Sequence, residues 1–336
     1  MDFRICVIGC GGISENVHGP SYVRYRDENP GFELTACCDL DAAKVAAHIK
    51  RFGFKRGYTD FTEMLGKEKP DAVCVTVHED HTAEVAECVM NMGFPALIEK
   101  PPGKDSAQNR RLIEVARRNG VINQVAYNRR HMPILQKLRG MLSRETSGSA
   151  VDGGGIQLIR YDIFRVDRYE KDFSDTAVHG IDAVRYIADA DYKEVNFTYQ
   201  HFPQYGEGVK NIYMDCLMTS GARAQLSFCP FSGVVLERAL VLAKDDAWMA
   251  NTPIWAYGYD IPGEIIHIRK GKTVETISGD ELCDSEETYM TNGFYNENKY
   301  FFEHVMAGRA CECNLESSLN TSLIKDCVQK NLARFG

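Results

Sequence analysis

The sequence lacks a basic excess, a long apolar run and a hydrophobic leader. Lys and Arg number 39 against 47 Asp and Glu, so the formal net charge is −8. Nucleic-acid binding is not expected, because no basic excess is available to displace phosphate counterions. No apolar run reaches the ~18 residues of a transmembrane helix, so no membrane span is expected. The first residues do not join a charged segment to an apolar one, which predicts a cytoplasmic rather than a secreted chain.

Zinc-type cysteine spacing, internal repeats and low-complexity tracts are absent from the sequence as well. Among 12 cysteines, Cys311 and Cys313 stand close together without a second pair at metal-site spacing, so no metal site is assigned. Cysteines in apolar, strand-like runs are expected to be buried, reduced thiols: Cys6, Cys37, Cys38 and Cys74. With 44% hydrophobic and 26% charged residues, the composition is globular, and 336 residues predict two domains.

The first 125 residues alternate apolar strands with helices. Continuous apolar runs predict strands at Phe3–Ile8, Phe32–Cys38, Ala72–Val77, Ala96–Ile98 and Val121–Ala126. Apolar residues at helical spacing predict helices at Asp41–Phe52, Thr82–Met92 and Lys104–Asn119. Buried strands joined by helices indicate a parallel sheet that is covered on both faces. We therefore predict an α/β fold whose first domain, residues 1–125, is a doubly wound Rossmann sheet.

The pattern changes in the second predicted domain, residues 126–336. A loop is predicted at Ser147–Gly155 and a helix at Asp175–Ile187. Strands follow one another without helices at Ile156–Val166, Glu194–His201, Asn211–Thr219, Ala222–Phe228, Val234–Leu242 and Glu264–Arg269. This succession predicts an α+β domain with an open, mostly antiparallel sheet. The aromatic stretch Trp248–Tyr259 is expected to pack in that sheet or at an interface, and the last helices, Glu286–Met306 and Leu315–Leu332, can return to the first domain.

A glycine-rich turn, Gly9-Cys10-Gly11-Gly12-Ile13-Ser14, joins the first strand to a helix. A dinucleotide site needs Gly9 for the tight turn and Gly11 for close approach of the backbone to a pyrophosphate. The amides at the helix start, at Gly12 and Ile13, then face the phosphates. Ser14 takes the third glycine position, where a small residue is tolerable. The turn predicts a dinucleotide cofactor; a tight turn without a ligand is the plain alternative.

Asp39 ends the second apolar strand, where a carboxylate can accept hydrogen bonds from the ribose 2′-hydroxyl of NAD and repel the 2′-phosphate of NADP. Asp41 is assigned to the cap of the following helix. Lys44 and Arg51 are not adjacent to the strand end, so no cation is expected beside a 2′-phosphate. We predict NAD as the cofactor, with NADP left open.

Two further groups carry potential chemistry. Lys100 follows a strand end and precedes a stiff Pro-Pro turn, so it points to the ligand crevice, although a solvated surface amine is the alternative. Asp175 and His179 are four residues apart on one helical face and form a plausible acid–base pair. Asp175 could instead cap the helix, and Asp182 could orient the imidazole.

In chain order, these motifs resemble the Gfo/Idh/MocA oxidoreductase family. The glycine turn, the acid-ended strand, Glu99-Lys100-Pro101 and the DxxxHxxD pattern of Asp175–Asp182 carry the resemblance. Two segments support it: Thr76–His81, similar to the family's TPNxxH, and Tyr127-Asn128-Arg129-Arg130, similar to its YNRR. The chain departs from the family pattern at Val77 and His78 (usually Pro-Asn), at His131 (usually aromatic), and at Lys171–Ser174 and Ala177 (usually glycines).

The resemblance implies NAD(P)-dependent oxidation of a secondary alcohol on a sugar, cyclitol or related polyol. It makes His179 the acid–base residue, Lys100 the contact to the reacting oxygen and the nicotinamide, and Asp175 the carboxylate that works with them. It adds Arg130 on the substrate side. On the cofactor side it adds Thr76, His81 and Glu99. It also implies a homodimer or homotetramer, often formed through the open sheet.

Two other functions stay open. The chain could be a dinucleotide-binding sensor without turnover, or a family member that cleaves glycosides with a tightly held NAD. The segment His78-Glu79-Asp80-His81 also suggests a metal, but no third ligand is identifiable and the spacing is not HExxH, so a loop and helix start with Asp80 as cap is preferred.

Overall fold

The computed structural model describes residues 2–145, 155–254 and 262–336. The chain divides into two compact units, Met1–Asn128 with Gly293–Leu319, and Arg129–Asn292 with Asn320–Gly336. Apart from Gly155, the loop predicted at 147–155 lies outside the described residues, as does the aromatic stretch from residue 255 to its end.

The first unit contains a six-stranded sheet in the order β3-β2-β1-β4-β5-β6, and every neighbouring pair is parallel. Its strands are β1 (Phe3–Ile8), β2 (Phe32–Cys38), β3 (Arg56–Tyr58), β4 (Ala72–Val75), β5 (Ala96–Glu99) and β6 (Asn123–Ala126). Side chains of β4 and β5 are buried throughout, as expected for strands covered on both faces. The predicted doubly wound Rossmann sheet is confirmed.

Helices connect these strands, and their ends follow from local chemistry. They are α1 (Gly19–Glu28), α2 (Ala42–Phe52), α3 (Phe61–Glu68), α4 (Glu79–Asn91) and α5 (Ser106–Asn119). The side chains of Asp41, Asp60 and Asp105 accept backbone N–H bonds at the starts of α2, α3 and α5. Gly53 and Gly120 end α2 and α5 in the left-handed conformation.

The second unit contains a nine-stranded sheet in the order β14-β13-β12-β11-β7-β10-β9-β8-β15. Its strands are β7 (Leu158–Phe164), β8 (Tyr192–His201), β9 (Lys210–Met218), β10 (Arg223–Cys229), β11 (Leu236–Leu242), β12 (Asp246–Asn251), β13 (Glu264–Arg269), β14 (Lys272–Ser278) and β15 (Arg334–Phe335). Among these described strands only β7 and β10 pair in parallel, which confirms a mostly antiparallel sheet.

The remaining helices are α6 (Pro133–Glu145), α7 (Ser174–Ala188), α8 (Thr288–Thr291), α9 (Phe294–Met306) and α10 (Leu315–Gln329). The predicted single helix over 286–306 is wrong, because Gly293, at φ +82°, separates α8 from α9. One buried cluster of the second unit includes side chains of α6, α7, α10 and the sheet, with Trp248 fully buried.

The cysteine prediction is confirmed at the four strand positions. Cys6, Cys37, Cys38 and Cys74 are buried free thiols, and burial raises the pKa of Cys6 and of Cys74 to about 12. Within the described ranges, no helix combines the length and apolarity that a membrane crossing requires.

Candidate functional site

A cavity of about 740 Å³ lies in the first unit at the carboxyl ends of β1, β2 and β4. Its lining includes these residues predicted to bind the cofactor: Gly9, Gly11, Gly12, Ile13, Asp39, Thr76 and His81. In this strand order, β1 and β4 are neighbours at the point where the direction of the sheet order reverses, which is where dinucleotides bind in open α/β sheets.

The glycine turn has the backbone geometry that its residue types require. Gly9 has φ +102°, and a Cβ there would lie 2.5 Å from the carbonyl oxygen of Thr76. A Cβ at Gly11 would meet no atom of the protein within 4 Å. Because glycine has no side chain there, the space in front of the backbone stays open. The Thr76 hydroxyl donates to the Gly9 carbonyl at 2.8 Å and fixes the turn to β4. At the third glycine position, buried Ser14 places its Oγ 3.0 Å from Nε2 of His48.

Asp39 is held by backbone donors. Its Oδ2 accepts from the Cys10 amide at 2.8 Å, and its Oδ1 accepts from the Asp41 amide at 3.0 Å. Because a carboxylate offers about four acceptor positions, Asp39 can still receive hydroxyl donors on the cavity side. Asp41 accepts from the Ala43 amide at 2.8 Å as the N-cap of α2, which confirms its predicted role.

Two local predictions beside the cavity are wrong. Lys44 lines the same cavity as Asp39, because the first turn of α2 brings it back to the strand end. Asp80 is not the cap of α4: the helix begins one residue earlier, and Nδ1 of His78 accepts from the Asp80 amide at 3.3 Å. Asp80 instead pairs with Lys104 at 2.7 Å.

Glu99 ends β5 and Lys100 follows it at the same edge of the sheet, but they are not among the described residues that line the cavity. Glu99 Oε1 lies 2.8 Å from Nε2 of His18, which is fully buried, and Glu99 Oε2 accepts from the Lys100 amide at 2.9 Å. His18 also contacts Asn298 of α9 through Nδ1. Lys100 is half-buried. A direct cofactor contact by either residue stays a prediction.

In the second unit, α7 carries Asp175 and His179 four residues apart, so they lie on one helical face. The alternative in which Asp175 caps the helix is wrong, because α7 begins at Ser174 and the Ser174 amide is bound by Asp172 Oδ1 at 2.8 Å. Asp175 Oδ1 instead lies 3.0 Å from Nζ of Lys325, a residue of α10.

Asp182 and Arg130 form a bidentate ion pair. Nε and Nη2 of Arg130 each donate to one Asp182 oxygen at 2.6 Å, and the Asp182 carboxylate is fully buried. Thr321 donates to Asp182 Oδ1 at 3.1 Å, and Arg185 lies 3.5 Å from the same oxygen. A guanidinium has five N–H donors, of which Arg130 uses two in this pair. Its substrate contact, and the meeting of Lys100 with Asp175 and His179 at one nicotinamide, stay predictions.

Sequence reasoning missed His18 and Lys325. The signal for Lys325 was available: a lysine stands between Ile324 and Val328, which are fully buried, on a helix otherwise predicted from apolar spacing. For His18 the signal was a polar residue at the end of the short helical segment Ser14–His18, which follows the glycine turn.

Comparison with known proteins gives a consistent family relationship. Residues 3–127 match the model of the GFO_IDH_MocA oxidoreductase family, with its NAD-binding Rossmann fold. Among curated proteins, D-apiose dehydrogenase of Paraburkholderia graminis is 28% identical over 191 residues, which cover 55% of this chain and 49% of that protein. Inositol 2-dehydrogenase of Salmonella paratyphi B is 24% identical over 208 residues, which cover 61% and 59%.

The chain thus spans 49% to 59% of the length of these curated relatives. Among solved structures, a Gfo/Idh/MocA family oxidoreductase from Vibrio cholerae superposes with a TM-score of 0.80 over 98% of both chains, at 17% identity. That likeness shows that both units of the chain have the fold of this oxidoreductase.

Proposed function

We propose that this chain, whose residues 3–127 match the model of the Gfo/Idh/MocA oxidoreductase family, moves a hydride between a nicotinamide cofactor and a secondary alcohol of a sugar, cyclitol or related polyol. The relatives named as dehydrogenases of D-apiose and of inositol support this substrate class. The observation that carries the proposal is the cavity at the ends of β1, β2 and β4, which collects the residues that a dinucleotide requires.

The residues present fit NAD. NAD, when bound, supplies the site that accepts or donates the hydride. Gly9 and Gly11 allow the backbone to approach a pyrophosphate, and the amides at Gly12 and Ile13 face it. The Asp39 carboxylate accepts from ribose hydroxyls and repels a 2′-phosphate, so we propose NAD rather than NADP. We assign the cofactor domain to residues 1–125 and the substrate domain to residues 126–336, of which Gly293–Leu319 belong to the first compact unit.

The protein side chains handle the alcohol proton. In our proposal an imidazole nitrogen of His179 takes the proton from the substrate hydroxyl. The ammonium of Lys100 stabilises the negative charge that develops on the same oxygen, where preorganised charge has the largest effect. Asp175 acts with His179 from the preceding turn of α7, and Arg130 contacts substrate hydroxyls.

The direct test is NADH formation from NAD over a panel of sugars, inositols and anhydrosugars. Replacing His179 by Ala is expected to lower kcat by about 10²–10⁴-fold, because a positioned base contributes that much. His201→Ala, at an exposed position on β8, is the matched control and should keep the wild-type kcat.

Two outcomes would overturn the proposal. Tight NADH binding without turnover of any substrate, and without an effect of His179→Ala, identifies a dinucleotide-binding sensor. Cofactor that stays bound through purification, with glycoside cleavage and no net NADH release, identifies an oxidation–elimination–reduction enzyme.

We further propose a homodimer or homotetramer that forms through the open sheet and acts in the cytoplasm. The exposed apolar side chains of Met249 on β12 and Val274 on β14 support an assembly through the sheet. All 12 cysteines are free, which supports a reducing compartment. Light scattering and cell fractionation test the two statements; a monomer, or an exported protein, contradicts them.

A further inference from the structure

Helix α10 presents a stripe of polar side chains to α7 and the segment before it. The α10 stripe consists of Thr321, Lys325 and Gln329, spaced four residues apart and therefore on one helical face. Each member contacts a carboxylate: Thr321 Oγ1 lies 3.1 Å from Asp182 Oδ1, Lys325 Nζ 3.0 Å from Asp175 Oδ1, and Gln329 Nε2 2.8 Å from Asp172 Oδ2. The residue numbers of the carboxylate partners decrease as those of the α10 stripe increase, so α10 runs antiparallel to α7 and the segment before it.

Lys325 occupies a position that packing alone would give to an apolar residue. Its side chain is 3% exposed, and its helical neighbours Ile324 and Val328 are fully buried. A buried ammonium is costly unless it is paired, and apolar residues of similar volume stabilise a fold as well as a buried ion pair does. A lysine here is therefore explained by what its charge does to its partner rather than by stability.

The charge of Lys325 acts on the start of α7. Burial alone would raise the pKa of Asp172, but hydrogen bonds from Ser174 and Gln329, together with the charge of Lys325, hold it below its ordinary value. Asp175 retains 25% exposure of its side chain and stands on the helical face of His179. A carboxylate that is partly open to water changes rotamer easily, whereas one held by a buried ammonium keeps one orientation.

We propose that Lys325 is a positioning residue that fixes the carboxylate of Asp175 beside His179. This inference rests on the proposed function, in which Asp175 works with His179. Lys325 touches neither cofactor nor substrate in this scheme. Its effect on turnover passes through Asp175 in this scheme, so that effect must disappear when Asp175 no longer carries a carboxylate.

The experiment compares Lys325→Met with Lys325→Arg, each in the wild-type chain and in an Asp175→Asn chain. Lys325→Met is expected to lower kcat by about 10- to 100-fold, because small misplacements of catalytic groups cost that much. KM is expected to change by less than about threefold, since no substrate contact is removed. Lys325→Arg keeps the charge and should recover most of kcat. In the Asp175→Asn chain, Lys325→Met should cause no further loss.

Lys330→Met is the matched control, because it removes a lysine just after α10 whose side chain is 65% exposed and pairs with Asp326. It should keep the wild-type kcat. The inference is overturned if Lys325→Met keeps kcat, or if it causes the same loss in the Asp175→Asn chain, which would indicate a general packing role. If Lys325→Met does not fold, Lys325→Gln replaces it with the same two criteria.

Urea unfolding of the wild type, Lys325→Met, Asp175→Asn and the double variant separates this inference from the proposed function, since it needs no substrate. If the effects of Lys325→Met and Asp175→Asn on the free energy of unfolding are not additive, the two side chains are coupled. If the chain turns over no alcohol, the dehydrogenase proposal is refuted. Coupling between the two side chains in that chain would still support the positioning of Asp175. Additive effects overturn the positioning role, whatever the chain catalyses.

Discussion

Replacing Asp39 by Asn is expected to move the cofactor preference from NADH towards NADPH. Both Asp39 oxygens accept backbone N–H bonds, at 2.8 and 3.0 Å, and an amide can reproduce only one of them. In our proposal the ribose hydroxyls donate to this carboxylate. Bonds to a charged acceptor contribute about 1.5–3 kcal/mol, so NADH binding should weaken by roughly tenfold or more when the charge is removed. A carboxylate and a phosphate charge at ~4 Å repel by about 1–4 kcal/mol, so removing the carboxylate should improve NADPH binding roughly tenfold or more. The ratio of the two dissociation constants should therefore change by about 100-fold.

The assay is the quenching or enhancement of nicotinamide fluorescence on titration with each cofactor. Asp41→Asn is the matched control, because it removes a carboxylate two residues away that caps α2 and does not line the cavity. Asp41→Asn should weaken the binding of NADH and of NADPH equally. Lys44→Met should weaken NADPH more than NADH, since Lys44 shares the cavity with Asp39. A wild-type preference for NADPH, or equal ratios in Asp39→Asn and Asp41→Asn, would refute the assignment of Asp39 to the ribose.

Two further substitutions test the fold around the site. Gly9→Ala should weaken NADH binding at least about tenfold and destabilise the chain by more than about 1–2 kcal/mol. The reason is that it adds a side chain at positive φ and places a Cβ 2.5 Å from a backbone oxygen. Gly66→Ala, where a Cβ meets no atom within 4 Å, is the control and should be neutral or stabilising in thermal unfolding. Burial alone would raise the pKa of Glu237, but the guanidinium groups of Arg129 and Arg165 hold it at about 2 against an ordinary 4.5. This stabilisation of about 3 kcal/mol is complete above pH 4.5 and is lost as the pH falls towards 2, so wild type should lose that much more unfolding free energy over this range than Glu237→Gln; equal losses would contradict the ion-pair account.

The strands predicted from sequence have at least one buried face. β1 and β2 have the predicted bounds, because each is a continuous apolar run that a glycine or an acid ends. β3 and β14 were not predicted, since their side chains are mostly exposed and show no apolar alternation. The break at Gly293 was also missed, because the residues on both sides of it keep helical apolar spacing.

The candidate site divides in the same way. Its cofactor side is encoded in short motifs, so Gly9, Asp39 and Thr76 could be assigned before the fold was known. The partners that hold candidate groups in place come from distant segments, as Lys325 does for Asp175 and His18 does for Glu99. Nothing in local spacing pairs such residues, because their contact depends on how helices pack against strands.

The buried contact between His18 and Glu99 joins the helical segment after the glycine turn to the end of β5 within the first unit. His18 lies just after the glycine-rich turn, and Glu99 accepts a hydrogen bond from the amide of Lys100. The glycine-rich turn and Lys100 are therefore held by one contact, and a substitution at either end of that contact is expected to shift the other end. A single substitution such as His18→Ala is then expected to weaken dinucleotide binding and to displace the Lys100 ammonium, although His18 contacts neither group.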